Sequence, residues 1–151
     1  MNVEGELTEH GARAQIAALL QRYATAIDSK DWALLRSVFA DDAKTDYGDI
    51  GRWSDADAIT EFMAEVHAGM RDTKHMLHNI AITVQDPDRA TAVSYVHAVL
   101  VPGQDPDEWV DAVGQYDDEI VRAEDGWRIA SRVFTMTRTF SSKDLRPETR
   151  N

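Results

Sequence analysis

The chain has 151 residues, a formal net charge of −11 and no cysteine. Without cysteine it can form no disulfide, no thiolate metal site and no cysteine nucleophile. The negative charge would repel a phosphate backbone, which argues against a nucleic-acid partner. No apolar run approaches the roughly 20 residues that span a membrane, and the acidic first residues lack the features of a signal peptide. We therefore expect one cytoplasmic domain over residues 1–151, with a core at about 10–140 and irregular termini.

Helical periodicity dominates the first half of the chain. An irregular arm is predicted before about Thr8, and a first helix follows it. The repeating apolar positions of this helix are Ile16, Leu19, Leu20, Tyr23 and Ile27. Asp31 can cap a second, short helix. A third helix is predicted after Ser54, which together with Asp57 resembles a capping box with Asp in place of Glu. Its apolar stripe would consist of Ile59, Phe62, Met63, Val66 and Met70.

The second half of the chain changes to strand patterns. A short strand is predicted near Lys44, and β-branched runs separated by turn residues predict longer strands. Their ranges are about 75–84, 91–101, 109–121 and 127–140, and a polar tail follows Ser141. Helices followed by a run of antiparallel strands make an α+β domain. A curved sheet with the helices on its concave side would enclose a pocket for a small molecule.

The segment from Thr73 to Asn79 holds two of the five histidines. Histidine is the side chain whose unperturbed pKa suits proton transfer near neutral pH. In a strand, alternate residues share a face, so His75 and Asn79 are predicted on one side and His78 on the other. One histidine could be a general base, or one could pack in the core while the other is exposed. Asp28 ends the first helix beside its apolar stripe, where the helix dipole favours cations rather than acids.

These pieces resemble the SnoaL-like branch of the nuclear transport factor 2-like superfamily, in the group that includes scytalone dehydratase and hexachlorocyclohexane dehydrochlorinase. The resemblance covers about residues 10–140. The segments that carry it are 20–28, 31–32, 39–43, the His75-x-x-x-Asn79 pattern and 125–129. The resemblance implies a cone-shaped, curved antiparallel sheet, a partial barrel packed with three N-terminal helices.

The resemblance also implies a catalytic dyad. In that group, the Asp that ends the first helix and the His that opens the first long strand act together, and Asp28 and His75 match them. His75 would take a proton, while Asp28 would fix its tautomer and stabilise its charged form. The dehydratase has a further pocket histidine on the next strand and a tyrosine after the second helix, which His97 and Tyr47 match.

Other candidates for substrate contact are Tyr23, Asn79 and Arg132. Tyr23 lies on the apolar stripe, so it either packs in the core or lines the pocket with its hydroxyl. Arg132 could bind a leaving group or face water. His10 and His67 are predicted to be exposed. His75, His78 and His97 could suggest zinc, but residues three apart in a strand diverge, so no metal site is expected.

The implied function is that of a cofactor-independent lyase, of dehydratase or dehydrohalogenase type, acting on a small hydrophobic and cyclic substrate. Isomerase, polyketide cyclase, epoxide hydrolase and ring hydroxylase activities occur on the same scaffold. A non-catalytic binding or assembly module is the alternative from a different class, because a fold alone proves no reaction. The uncovered sheet face predicts a homodimer or homotrimer.

Overall fold

The computed structural model describes residues 3–105 and 107–145, which contain three α-helices and six β-strands. The helices are α1 (Val3–Asp28), α2 (Trp32–Val38) and α3 (Ala56–His67). The strands are β1 (Phe39–Asp46), β2 (Arg52–Trp53), β3 (Met70–Asp86), β4 (Arg89–Pro102), β5 (Val110–Ala123) and β6 (Gly126–Ser141). Short 3-10 helices occupy Gly48–Ile50 and Ser142–Leu145.

All the described strands belong to one curved sheet that does not close, in the order β2-β1-β6-β5-β4-β3. The strands from β3 to β6 pair with antiparallel neighbours in chain order. β1 runs parallel to β6, although they lie at opposite ends of the chain. The α+β class and the curved sheet with its N-terminal helices are therefore confirmed, and the parallel pair is a feature that the sequence did not predict.

The core lies between the helices and the concave face of the sheet. α1 packs against α2 and β3, and its apolar stripe is buried together with residues of β5 and β6, such as Ile120 and Ile129. Each fully buried Leu or Ile side chain contributes about 1.5–3 kcal/mol relative to leaving it in water. The opposite, convex face carries exposed residues that include Tyr95 and Val133. No helix among the described residues has both the length and the apolar character needed to cross a membrane.

Element ends differ from the predictions at several places. The predicted arm before Thr8 is helical from Val3, with Glu4 and Glu6 in a first turn where the helix dipole favours acids. The cap of α3 is Asp55 rather than Ser54: its carboxylate accepts the Ala58 N–H over 2.8 Å. Residues 1–2 of the arm and 146–151 of the predicted irregular tail lie outside the described residues.

The alternation of β3 breaks at Asn79. This residue has a φ of 49°, in the left-handed region that Asn tolerates better than most residues. The register with β4 shifts between His78 and Ala81, which marks a bulge. Because of the bulge, the residues after His78 no longer follow the alternation that begins at His75, and Asn79 is exposed. The prediction that His75 and Asn79 share a face is therefore wrong.

Candidate active site

Asp28 and His75 meet where the end of α1 approaches the beginning of β3. His75 Nδ1 lies 2.7 Å from Asp28 Oδ1, within the hydrogen-bond range expected for the dyad. The His75 backbone N–H donates to Asp28 Oδ2 over 2.9 Å, and the Thr73 hydroxyl donates to Oδ1 over 2.9 Å. The side chains of His75 and Asp28 are only 8% and 20% exposed. The carboxylate is therefore fixed from three directions in a largely buried position.

Strand geometry explains why one carboxylate can receive these bonds. β3 lies at the edge of the sheet, so some of its backbone N–H groups face away from β4, and Asp28 accepts that of His75. Thr73 and His75 are two residues apart and point to the same face. Since an ionised carboxylate only accepts hydrogen bonds, we assign the ring proton of His75 to Nδ1 and a lone pair to Nε2.

The ionisation of Asp28 follows from two opposing effects. Burial by itself would raise the pKa of this carboxyl, because desolvation disfavours the charged form. The hydrogen bonds from the His75 ring and backbone, the charge of His75 and the Thr73 hydroxyl together outweigh burial and lower the pKa of Asp28 below its ordinary value. Asp28 is therefore an anion at neutral pH and can stabilise a positively charged imidazole.

His75 lines an apolar cavity of about 160 Å³ between α3 and the concave face of the sheet. Its walls include Val96, Ala98, Leu100 and Phe134. The cavity is small beside the roughly 300–1,000 Å³ of ordinary ligand sites. Ile50, Val66 and Met136 also line it and are 40–48% exposed, so an apolar rim surrounds its opening. A site with these dimensions and walls suits a small, mainly apolar molecule.

Tyr23, Tyr47 and Tyr116 line the same cavity. The Tyr23 hydroxyl oxygen lies 3.1 Å from that of Tyr47 and 3.3 Å from that of Tyr116. Burial raises the pKa of all three phenols, so they stay protonated at neutral pH and can donate O–H bonds. Tyr23 thus satisfies both sequence alternatives, because it packs in the core and also contributes to the cavity.

Arg132 lies behind these tyrosines and is fully buried. Its Nε and Nη2 donate to the Asp118 carboxylate over 2.7 and 2.8 Å, and its guanidinium lies 4.1 Å from the Tyr23 ring centre and 3.9 Å from that of Tyr116. Burial alone would lower the pKa of Arg132, but the charge and hydrogen bonds of Asp118 more than offset it and raise the pKa. Of the two alternatives for Arg132, a leaving-group contact or a side chain facing water, the second is wrong because the side chain is buried, and Arg132 is not among the residues that line the cavity.

His97 lies outside the cavity. Val96 and Ala98, its neighbours on β4, line the cavity, so alternation directs His97 to the convex face of the sheet. There its Nε2 lies 2.9 Å from Asp111 Oδ2. The structure therefore separates His97 and the exposed Asn79 from the dyad, whereas it brings Tyr23 and Tyr47 into the same cavity as His75.

His67, which was predicted to be exposed, is only 5% exposed and lines the cavity. It is the last residue of α3, and its ring lies between those of Trp32 and His75 at centroid distances of 6.1 and 5.8 Å. The sequence did contain a signal for this position. Ile59, Met63 and His67 are successively four residues apart, which places them on one helix face.

A metal centre and a second groove are the other possible functional sites. Among the described residues, no group of three or more His, Asp or Glu side chains is arranged to hold a metal ion. A wider groove of about 440 Å³ lies between α1 and the β5–β6 turn, and its lining includes Arg22, Arg122 and Arg128. We favour the smaller cavity because it contains His75 and the tyrosines and its walls are mainly apolar.

The family model for the SnoaL-like domain matches residues 8–133, so the chain belongs to the SnoaL-like family, as the sequence motifs predicted. Rv2910c, an uncharacterized protein of Mycobacterium tuberculosis, is 33% identical over 133 residues, which cover 85% of this chain and 88% of the relative. This relative carries no named activity, so it supports the family alone.

Solved structures show the same fold, which is nuclear transport factor 2-like. A "putative scytalone dehydratase" from Novosphingobium aromaticivorans superposes with a TM-score of 0.82, at 22% identity over 95% of this chain and 97% of that chain. A "putative aromatic ring hydroxylase" from the same organism gives 0.78, at 29% identity over 89% and 95%. A type 2 hexachlorocyclohexane dehydrochlorinase gives 0.81, at 18% identity over 90% and 92%. The activities in these names belong to those proteins.

Proposed function

We propose that this chain is a cofactor-independent lyase in which His75 removes a proton from a small hydrophobic, cyclic substrate. The observation that carries the proposal is the 2.7 Å bond between Asp28 and His75 Nδ1, made by a histidine that lines an apolar cavity. In the neutral ring this bond holds the proton on Nδ1 and so places the lone pair on Nε2, which is the atom that a general base uses. Had the two residues lain apart or on the surface, a binding module would be favoured.

In the proposed reaction, Nε2 of His75 takes a proton from a substrate carbon, and the electrons of that C–H bond form a double bond as a leaving group departs. Asp28 stabilises the imidazolium that forms, through a charge-assisted hydrogen bond. The Tyr47 hydroxyl donates to the departing oxygen or halide, since its pKa is raised by burial and it keeps its proton. Tyr23 and Tyr116 hold this hydroxyl network, and Arg132 and Asp118 support the tyrosines from behind.

The names of two structural neighbours, a dehydratase and a dehydrochlorinase, accord with an elimination of this kind. Isomerisation, ring cyclisation and epoxide hydrolysis would use the same base and remain outcomes of the same assay. The name of the neighbour at 29% identity favours chemistry on an aromatic ring. A ligand-binding module without catalysis is the alternative from another class, since the cavity alone would suffice for it.

Steady-state turnover of small hydroxylated and halogenated cyclic compounds tests the proposal. Asp28→Asn keeps the shape of the dyad but removes its charge, and His75→Ala removes the base. We expect each to lower turnover by at least about 100-fold, with the double variant little worse than either because the pair acts as a unit. His78→Ala is the matched control, because His78 is exposed on the same strand. Turnover of His75→Ala close to that of the control would reject the proposed base.

A further inference from the structure

His67 is held in one tautomer by its own helix. Its Nδ1 lies 2.8 Å from the Met63 carbonyl oxygen, one turn earlier in α3. A carbonyl oxygen only accepts, so Nδ1 must carry the proton and Nε2 must carry a lone pair when the ring is neutral. Among the described residues, the hydrogen bond of the His67 ring is the one at Nδ1. The unused nitrogen therefore remains available to a molecule in the cavity that His67 lines.

The ring of His75 is arranged in the same way, with Nδ1 engaged and Nε2 left over. Its Nδ1 is engaged by Asp28, so its Nε2 is also an acceptor, and the centres of the two rings are 5.8 Å apart. Two acceptors cannot satisfy each other, because a hydrogen bond needs one donor. Burial is the largest cause that lowers the pKa of His67, and it outweighs the opposing Met63 bond, so a neutral ring with Nε2 unprotonated is favoured. With both rings neutral, the donors of a bound molecule can satisfy the two nitrogens.

We infer that His67 selects substrates that carry a free hydroxyl, by accepting the O–H at Nε2 while His75 faces an acidic C–H or a second O–H of the same molecule. The inference rests on the proposed function for the reaction at His75 and deepens it by naming the substrate class, a small hydroxylated ring. A halogenated ring without a hydroxyl would leave Nε2 of His67 desolvated and unpaired, which is unfavourable. If Tyr116 donates to Tyr23 and Tyr23 donates to Tyr47, the Tyr47 hydroxyl keeps its own O–H for a substrate carbonyl or leaving oxygen.

Binding of two matched probes tests this selection without any turnover. Resorcinol offers two O–H donors, and 3-fluorophenol replaces one of them with a fluorine of similar size that cannot donate. We expect the wild-type protein to bind resorcinol about 10-fold more tightly by calorimetric titration, the value of one hydrogen bond. His67→Phe keeps an aromatic ring and should abolish the preference. His67→Gln keeps an acceptor oxygen and should retain part of it, while His78→Phe should leave it unchanged.

The protonation of the His67 ring is a second, independent readout. Nitrogen-15 NMR of its ring nitrogens at neutral pH should show a protonated Nδ1 and an unprotonated Nε2, and resorcinol should shift Nε2. A His67 ring protonated at Nε2 would overturn the inference. So would an equal preference for resorcinol in wild type and His67→Phe, or the absence of saturable resorcinol binding to the wild type.

Failure of the inference and failure of the proposed lyase give different results. If the resorcinol preference depends on His67 but no substrate is turned over, the hydroxyl selection holds and the lyase proposal fails. If His75→Ala abolishes turnover of a ring without hydroxyls and His67→Phe turns it over at the wild-type rate, the lyase holds and the hydroxyl selection fails.

Discussion

Arg132 shows how strongly one buried charge depends on its partner. Its side chain and that of Asp118 are both 0% exposed. Replacing Arg132 with Met leaves the Asp118 carboxylate buried and unpaired, which costs about 3–5 kcal/mol. We expect urea unfolding to show a loss of that size in the free energy of unfolding. The tyrosine hydroxyls that line the cavity should also lose their fixed positions.

An exposed ion pair supplies the control for this prediction. Arg52 pairs with Asp46 over 2.9 Å, but its side chain is 70% exposed, so Arg52→Met should change stability by no more than about 0.5 kcal/mol. Adding Asp118→Leu to Arg132→Met removes the unpaired charge and should recover much of the loss. If Arg132→Met and Arg52→Met lowered the free energy of unfolding equally, the buried pair would stabilise the protein no more than the exposed pair does.

His67 should make stability depend on pH. Burial lowers the pKa of His67, and His75 and Lys30 lower it further, while the Met63 carbonyl and Asp28 act in the opposite direction. Below about pH 6.5 the unfolded chain takes up a proton at this residue before the folded chain does. Stability therefore falls as the pH drops from about 6.5, and the loss stops once the folded pKa is passed.

Urea unfolding at a series of pH values tests this dependence. His67→Phe cannot titrate, so it should lack the part of the stability loss that begins near pH 6.5. His10→Phe, at an exposed position of α1, should keep the wild-type profile. Asp28 acts in a separate, more acidic range: its contribution is complete above about pH 3.9 and is lost as the pH falls through its lowered folded pKa. Parallel curves for wild type and His67→Phe between roughly pH 5 and 7 would contradict the prediction.

Individual residues differ in how far the sequence could locate them. Asp28 and His75 were found from a motif, because the family resemblance paired an acid at a helix end with a histidine at a strand start. His67 could have been found from its spacing to Met63. The Asp118–Arg132 pair could not, since it depends on the register between β5 and β6, which places the two residues opposite each other. No local pattern specifies that register.

At the scale of elements, the pairing of β5 with β6 leaves no room for a side chain at Gly114. A methyl group at this position would lie 2.5 Å from Phe134 Cε2 and 2.6 Å from the Thr135 carbonyl oxygen. Gly114→Ala must therefore displace Phe134, which forms part of the cavity wall. We expect thermal or urea unfolding to show a loss of about 1–3 kcal/mol, typical of overpacking, together with weaker binding of any cavity ligand.

Gly11 provides a control, because the same Gly→Ala substitution is expected to raise stability there. It lies in α1 with nothing within 4 Å of an added methyl group. Gly11→Ala should stabilise the protein by roughly 0.5–1 kcal/mol, because Gly is unfavourable inside a helix. If Gly114→Ala were equally stabilising, the close approach of Phe134 would not restrict that position.

The prediction of strands succeeded where local pattern and tertiary contacts agree. The long strands from β3 onward carry β-branched runs bounded by turn residues, and they lie close to their predicted ranges. The alternation within β3 failed at Asn79, because a bulge changes the phase of side chains without changing strand propensity. β1 begins at Phe39, ahead of its predicted range, since its pairing with β6 is a contact between distant parts of the chain.

For the whole molecule, we predict a homodimer or homotrimer that uses the convex face of the sheet. Tyr95 and Val133 are 48% and 44% exposed and lie on strands separated only by β5. Exposed large apolar side chains on a sheet often mark an interface, and tyrosine is a common anchor there. Size-exclusion chromatography with light scattering should give a dimer or trimer mass at micromolar concentration. Tyr95→Glu should weaken association by about 10-fold or more.

The position of β1 has a consequence for how the protein is made. Its partners are the two-residue β2 and β6, the last strand of the sheet. During synthesis, α1 and β1 leave the ribosome long before β6 is made. The apolar stripe of α1 and one edge of β1 therefore stay exposed to solvent in the growing chain. A chain released before Gly126 would lack Phe134 from the cavity wall and the parallel partner of β1. Newly made chains should therefore acquire their cavity only after synthesis is nearly complete, and aggregation during expression should increase when translation stalls ahead of β6.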